Sequence, residues 1–357
     1  MNVSDTSSHI SNRLTEWYQC NKRDLPWRDI SDPYKIWISE IILQQTRVKQ
    51  GLSYYLQFID RFPNVKTLAE ASENEVLKYW QGLGYYTRAR NIHKAAKQII
   101  TDFNGVFPIK HADVLKLAGI GDYTAAAICS FAYNQPYAVV DGNVYRVLSR
   151  LFGIKTAIDT NSGKKEFTIL AQNLLSLHEP AFHNQAIMEF GALQCTPNCP
   201  DCVNCALNSQ CKAFELKIVS ELPVKTQKTK VTNRHFNYLF VEFNKNTFLQ
   251  KRTAKDIWQN LYEFPLIETD KLLNTEELIY NQQFKLLFDG VTETKIIKTT
   301  NPVKHVLSHR VIYAQFISIK ISDLPKSFSH FNQIPISELD NYPVSRLMEL
   351  YLETLAE

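Results

Sequence analysis

The chain has no run of about 18 apolar residues, so a membrane-spanning helix is excluded and no membrane partner is expected. Its first twelve residues, MNVSDTSSHISN, contain no apolar core, so no leader peptide is expected and a cytoplasmic location is. Strong charge of either sign is also missing. Forty Lys and Arg against 36 Asp and Glu leave +4, too little by itself to announce a polyanionic partner. Glycine is sparse, at 11 of 357, while 45% hydrophobic and 12% aromatic residues exclude a disordered or collagen-like chain. The cysteines do not form a dispersed disulfide pattern. Cys20 and Cys129 stand alone, whereas Cys195, Cys199, Cys202, Cys205 and Cys211 crowd one short segment, which reads as metal ligation.

At roughly 150 residues per domain, the length suggests two domains. Up to about residue 215 the pattern is helical and shows no convincing strand. Asp32-Pro33 starts a helix in which Ile38, Ile41 and Ile42 recur at i, i+3 and i+4. Further helices are expected at 67–80, 87–101, 111–117, 122–133, 142–152 and 162–177. Residues 212–234 carry six basic and two acidic side chains, equal to the net charge of the whole chain, and 216–234 read as a basic linker. Beyond it, FNYLFVEF (236–243) and VIYAQFISI (311–319) have the aromatic and β-branched content of strands, and 345–355 a closing helix. The expected architecture is an all-α domain at 1–215, with the cysteine loop at 195–211, and an α+β domain at 235–357.

Chemistry concentrates in a few segments. In LAGIGDYTAAAI, Gly119 and Gly121 permit a tight hairpin whose backbone N–H groups, with the following helix N-terminus, can face a phosphate. Twenty residues after Gly121 comes Asp141, in VVDGNVYRVLSR, a carboxylate suited to stabilising positive charge on a sugar and equally suited to capping a helix. Glu40, in SEIILQQTRV, is by itself an ordinary residue of an amphipathic helix.

Together, SEIILQQTRV, GLGYYTRARN, LAGIGDYTAAAI, VDGNVYRVL and the cysteine loop follow the order and spacing of the helix-hairpin-helix DNA glycosylases. Within them the chain closely resembles the adenine DNA glycosylases of the MutY type, from about Leu25 to Cys211 and more weakly to its end. The resemblance implies a monomer that flips mispaired adenine, opposite 8-oxoguanine or guanine, out of double-stranded DNA. Glu40 would protonate adenine N7 and later help activate water. Asp141 would stay ionised and stabilise the oxocarbenium-like sugar, with Asn143 among the donors that hold it. This requires burial to raise the pKa of Glu40 while hydrogen bonds hold Asp141 as the anion.

Tyr123 separates subfamilies. The endonuclease III type resembles this chain but has a lysine there, whose amine can attack C1′ and cut the strand through a Schiff base. A phenol cannot form that imine, so the resemblance implies a monofunctional glycosylase. Arg28 and Gln185 match residues around the flipped adenine, Gln45 the wedge in the base stack, and Thr46 and Tyr86 contacts to the oxidised guanine. Ala118 stands where the family usually has proline, and a looser hairpin is expected.

Two cysteine registers compete. Cys199, Cys202 and Cys205 resemble the start of a ferredoxin run, but Cys211 comes too late for it. Cys195, Cys202, Cys205 and Cys211 have the glycosylase spacing and leave Cys199 spare. The gap usual between ligand pairs of structural zinc is missing. A [4Fe–4S] cluster on Cys195, Cys202, Cys205 and Cys211 is the expectation. The C-terminal part resembles the Nudix-like domain of this family through TFLQKRTAKDIWQNLYEFPLIE, but it lacks the acidic Nudix box, so nucleotide hydrolysis is not expected. Ser308 and His309 match the family's Phe-Ser-His motif for 8-oxoguanine, with Leu307 replacing the phenylalanine.

Overall fold

The computed structural model describes residues 3–226 and 231–356; positions 227–230 of the expected linker lie outside the described residues. Helices fill the first part: α1 Val3–Asn21, α2 Pro33–Leu43, α3 Val48–Arg61, α4 Val65–Glu70, α5 Glu73–Tyr79, α6 Thr87–Asp102, α7 His111–Val114, α8 Asp122–Tyr133, α9 Gly142–Phe152, α10 Asn161–Leu174, α11 Pro180–Leu193 and α12 Lys212–Glu215. The expected helix at 67–80 is two, because Ser72 caps a new start by accepting from the Glu75 N–H. Four of these helices were not anticipated, α1, α3, α11 and the short α12. α1 hides behind a polar beginning, yet Ile10, Leu14 and Tyr18 recur every four residues and are buried.

Contacts divide the chain into two units, one of Met1–Glu70 with Lys94–Gln227, the other of Ala71–His93 with Lys228–Glu357. The C-terminal unit thus includes α5 and the GLGYY loop, which the sequence reading assigned to the helical domain.

In the first unit, Ile10, Leu14 and Tyr18 of α1 pack with Val144, Val147, Leu148 and Leu151 of α9, Phe167 of α10, and Ile187 and Phe190 of α11. Each such fully buried side chain contributes roughly 1.5–3 kcal/mol. α2 starts at Asp32, whose carboxylate accepts from the Tyr34 and Lys35 N–H groups, with Pro33 in the first turn. Of its residues from Tyr34 to Ile42, every one but the half-buried Lys35 is buried, the pattern of a helix packed on nearly every side.

In the second unit, β1 (Thr232–Glu242) and β7 (Arg310–Ile321) run parallel in the middle of a five-stranded sheet. β4 (Leu266–Thr269) flanks β1, while β5 (Thr294–Thr299) and β6 (Val303–Val306) pair in succession along β7. A second sheet orders β3 (Tyr262–Glu263), β2 (Asn246–Lys251) and β8 (Asn332–Pro335). Both faces of β1 are covered, which explains its nearly continuous apolar run. Phe236, Tyr238 and Phe240 pack with Leu347, Met348 and Tyr351 of the closing helix α15 (Arg346–Ala356). Leu239 and Val241 pack with Phe284 of α14 (Gln282–Leu287), Phe288 just after it, and Leu278 of α13 (Thr275–Tyr280).

Candidate active site

A cleft of roughly 800 Å³ in the first unit is lined by side chains from five places in the chain. The segment before α2 gives Arg23, Trp27 and Arg28, and α2 with its exit gives Glu40, Gln45 and Thr46. α8 adds Tyr123, the start of α9 Asp141, Asn143 and Arg146, and α11 Gln185 and Glu189.

Glu40 sits on the nearly all-round buried α2 and is 7% exposed. Burial pushes its pKa up to about 7, against a hydrogen bond from Tyr123 and the charge of Arg28, while the charge of Asp141 pushes it further up. The Tyr123 hydroxyl donates to Glu40 Oε2 at 2.6 Å. Burial and the neighbouring Glu40 raise the Tyr123 pKa well above normal, so it remains a neutral donor.

Asp141 does two jobs with two oxygens. Oδ1 caps α9, accepting from the N–H groups of Asn143 at 2.9 Å and Val144 at 2.8 Å. Oδ2 accepts from Asn143 Nδ2 at 2.7 Å, and the residue lines the cleft. Burial raises the Asp141 pKa, and these donors together with Arg146 act to lower it. The expected donors are therefore in place, but the net direction is upward, because desolvation outweighs them.

Asn143 is itself held. Its Oδ1 accepts from Arg146 Nη2 at 2.8 Å, and Arg146 also donates to the Cys195 carbonyl at 2.7 Å and the Gly191 carbonyl at 2.6 Å. Gly191 permits this approach of α11 to α9, since a Cβ there would lie 2.7 Å from Asn143 Cβ. On the opposite wall, Gln185 Oε1 accepts from the Tyr18 hydroxyl at 2.9 Å, and Arg28 donates to that hydroxyl at 2.9 Å. Glu189, 1% exposed, is gripped by Arg23 through two bonds of 2.6 and 2.7 Å and by Arg28 at 3.1 Å. Burial raises the Glu189 pKa, but the arginines more than reverse that and leave it below the ordinary value. Of the three cleft carboxyl groups, Glu40 has its pKa raised to about 7, Asp141 is raised by burial against its donors, and Glu189 is lowered by its arginines.

The hairpin before α8 has Gly119 at φ +74°, a conformation that glycine adopts without strain, and Gly121 at the helix N-cap with no side-chain cap. Ala118, where the family usually has proline, adds a hydrogen bond to this hairpin. The Ala118 N–H, which proline would lack, donates to Gln98 Oε1 at 2.8 Å.

Cys195, Cys202, Cys205 and Cys211 line one cavity, together with Val147, Leu151, Leu207 and Arg150. Cys199 is exposed and outside it. Arg150 donates to Cys195 Sγ at 3.4 Å and to the Thr196 and Pro197 carbonyls at 2.7 and 3.1 Å. Among the described residues, no three His, Cys, Asp or Glu side chains are arranged to share a single metal ion. Four thiols around a common cavity, rather than at one point, suit a polynuclear cluster.

In the second unit Ser308 and His309 are exposed at the turn between β6 and β7. The Ser308 hydroxyl lies 2.5 Å from that of Tyr85. Tyr86, expected at the damaged base, is instead a core residue. It is 5% exposed, and its hydroxyl donates to the Val344 carbonyl at 3.3 Å and accepts from the Gly82 N–H at 3.2 Å. The accessible ring of the pair is that of Tyr85, which is 46% exposed and held at φ +50°.

Residues 38–172 match the model of the HhH-GPD superfamily base excision DNA repair proteins, and residues 237–354 match a NUDIX domain. The chain is 36% identical to the adenine DNA glycosylase of Buchnera aphidicola subsp. Baizongia pistaciae, over 92% of this chain and 90% of that one. It is 40% identical to the adenine DNA glycosylase of Mus musculus, over 60% of this chain and 43% of that one. The chain belongs to the adenine DNA glycosylase family. Among solved structures it is similar to a thermostable thymine-DNA glycosylase, with TM-score 0.56, 28% identity, and coverage of 60% of this chain and 100% of that one. The fold of endonuclease III, solved in complex with DNA, also matches, with TM-score 0.52 and 20% identity over 61% of this chain and 99% of that one.

Of the residues singled out in the sequence, the structure gathers Arg28, Glu40, Gln45, Thr46, Tyr123, Asp141, Asn143 and Gln185 around one cleft. Sequence reasoning missed Glu189, Arg146, Tyr18 and Tyr85. Two of these left a signal. Glu189 stands one turn after Gln185 on α11 among Ala186, Ile187 and Phe190, where a lone carboxylate needs a partner. Arg146 stands one turn after Asn143 on α9.

Proposed function

We propose that this chain excises adenine mispaired with 8-oxoguanine or guanine in double-stranded DNA and leaves an abasic site, as a monofunctional glycosylase in base-excision repair. The observation that carries the reading is one cleft that holds Glu40, its pKa raised to about 7 by burial, together with Asp141, whose carboxylate accepts from three N–H donors. Adenine is a poor leaving group until its ring is protonated, and a carboxyl group with a pKa near neutrality can supply that proton. As the glycosidic bond breaks, positive charge grows on the sugar, and the Asp141 carboxylate faces it. Water then completes the displacement, with Glu40, now deprotonated, as its base. Arg28 and Gln185 line the space for the flipped base, and Gln45, exposed at φ +56° just after α2, fills the gap in the stack. Tyr123 tunes Glu40 by its hydrogen bond and offers no amine for strand cleavage.

Damage recognition belongs to the second unit in this reading. Ser308 and His309 contact the 8-oxoguanine, and Tyr85, rather than Tyr86, supplies the stacking ring beside them. Cys195, Cys202, Cys205 and Cys211 would hold a [4Fe–4S] cluster, which when bound would tie the 195–211 loop together against Val147 and Leu151 of α9. In this reading the enzyme acts as a monomer on DNA in the cytoplasm. Among the described residues no helix is long and apolar enough to cross a membrane.

The test is single-turnover adenine release. Glu40→Gln should bind mismatched duplex yet release no adenine, and Asp141→Asn should be nearly inactive. A near wild-type rate in either variant removes that residue from its role.

A further inference from the structure

The turn that carries Ser308 and His309 is two residues long, since the Leu307 N–H donates to the Arg310 carbonyl at 2.8 Å and Val306 pairs with Val311. So short a turn is aimed by what its flanks are bonded to. On one side the His309 carbonyl accepts the Thr232 N–H at 3.1 Å. The next residue, Arg310, enters a cluster of charges at the starts of β1 and β7.

At its centre, Asp256 accepts from three guanidinium groups, those of Arg234 at 2.6 Å, Arg252 at 3.0 Å, and Arg310. Two of these have further anchors. Arg234 makes a paired contact with Glu268 at 2.6 and 2.7 Å. Arg252 bonds Glu263 at 2.6 Å and the Ile257 carbonyl at 3.0 Å. The Arg310 side chain has Asp256 as its one hydrogen-bonding partner among the described residues, and at 35% it is the most exposed of the three. Three carboxylates balance three arginines. Without the charge of Asp256, two carboxylates would face three guanidiniums, and Arg310 is the one placed to let go.

We propose that Asp256 is a positioning residue for damage recognition: by fixing Arg310 it aims the Ser308–His309 turn and keeps that arginine from binding DNA phosphates indiscriminately. This rests on the reading above, in which the turn faces the oxidised base. It assigns a sign that a general folding role would not produce. Loss of the anchor should weaken discrimination and strengthen binding to undamaged duplex, because a released cation beside the turn adds a phosphate contact.

The experiment uses the full chain with Asp256→Asn, Asp256→Glu, Arg310→Ala and the double change Ser308→Ala with His309→Ala. Single-turnover rates on A:8-oxoG and A:G duplexes are measured with the affinity for undamaged duplex at two salt concentrations. Asp256→Asn should lower the rate ratio roughly five- to tenfold, by misaligning hydrogen bonds that discriminate between bases. The same variant should bind undamaged duplex about two- to fivefold more tightly, with a salt dependence steeper by up to about one ion. Asp256→Glu, which keeps the charge, should retain most of the preference. Arg310→Ala should lose preference without gaining duplex affinity, and it carries the test alone if Asp256→Asn does not fold. An unchanged ratio in Asp256→Asn, or in Arg310→Ala when it stands alone, with a lowered ratio in the Ser308 and His309 variant, overturns the role of Asp256 alone. An unchanged ratio in all variants overturns the reading of the turn as well. Equal losses on both substrates with weaker duplex binding reduce Asp256 to a folding role and also overturn the proposal.

Discussion

Replacing Glu40 by glutamine should stabilise the protein in a pH-dependent way, although it abolishes activity. The carboxyl group has its pKa raised from 4.5 to about 7 by burial, so the folded state holds a proton that the unfolded chain releases. The sign follows from linkage. Below pH 4.5 both states are protonated and the group has no effect; as pH rises toward 7, folding must retain a proton the solvent would take, and stability is lost. Above pH 7 the loss is complete. At about 1.36 kcal/mol per pKa unit it amounts to about 3 kcal/mol. Glutamine never ionises, and its amide oxygen can still accept from Tyr123. Glu40→Gln should therefore melt close to the wild type near pH 4.5 and about 5–10 °C above it at pH 8, with most of the divergence developing by pH 7. Thermal unfolding of both proteins by circular dichroism across that range is the assay. Parallel melting curves at every pH would refute the reasoning, because they would mean that Glu40 is ionised as easily in the fold as in water. The same pKa sets the acid form for catalysis, and adenine release should decline as pH rises through about 7.

Borohydride should trap little wild-type enzyme on DNA, and the product strand should remain intact until alkali is added, whereas Tyr123→Lys should gain some trapping; abundant trapping by the wild type would contradict the monofunctional reading. Cys199→Ser should keep the brown iron–sulfur absorbance, while Cys202→Ser or Cys205→Ser should lose it, and bleaching by Cys199→Ser alone would show that the ligand set is wrong. Gln98→Ala should cost about 0.5–1.5 kcal/mol by removing the acceptor of the half-buried Ala118 N–H. In an Ala118→Pro background, which has no N–H to strand, the same change should cost much less, and equal costs measured by urea denaturation would dismiss that hydrogen bond as the hairpin's anchor.

Much of the site was legible because its residues are local landmarks. Asp32-Pro33 marked the start of α2, paired glycines marked the hairpin, and crowded cysteines marked their loop. Asp141 looked like a helix cap and is one; that it also lines a cleft and is held there by Asn143 depends on Gly191 and Arg146, which only packing brings to Asn143. The environment of Glu40 was harder to read, since an isolated glutamate on a helix is usually solvated, and here α2 is buried from Ile36 through Ile42. In GLGYY the two adjacent tyrosines have the same local sequence. Which ring is exposed was decided by the C-terminal residue Val344, whose carbonyl takes the Tyr86 hydroxyl and leaves Tyr85 outside. For the same reason the expected domain boundary did not anticipate that residues 71–93 would group with the C-terminal chain. Such contacts join positions more than two hundred residues apart and leave no periodicity in either segment.

The central claim is tested most directly by following wild-type protein on two duplexes side by side, one carrying A:8-oxoG and the other A:G, under single-turnover conditions. The account predicts free adenine from both, an unbroken abasic strand in each, and a faster rate opposite the oxidised guanine. No adenine release from either duplex, or excision of a different base from a panel of damaged pairs, would contradict it.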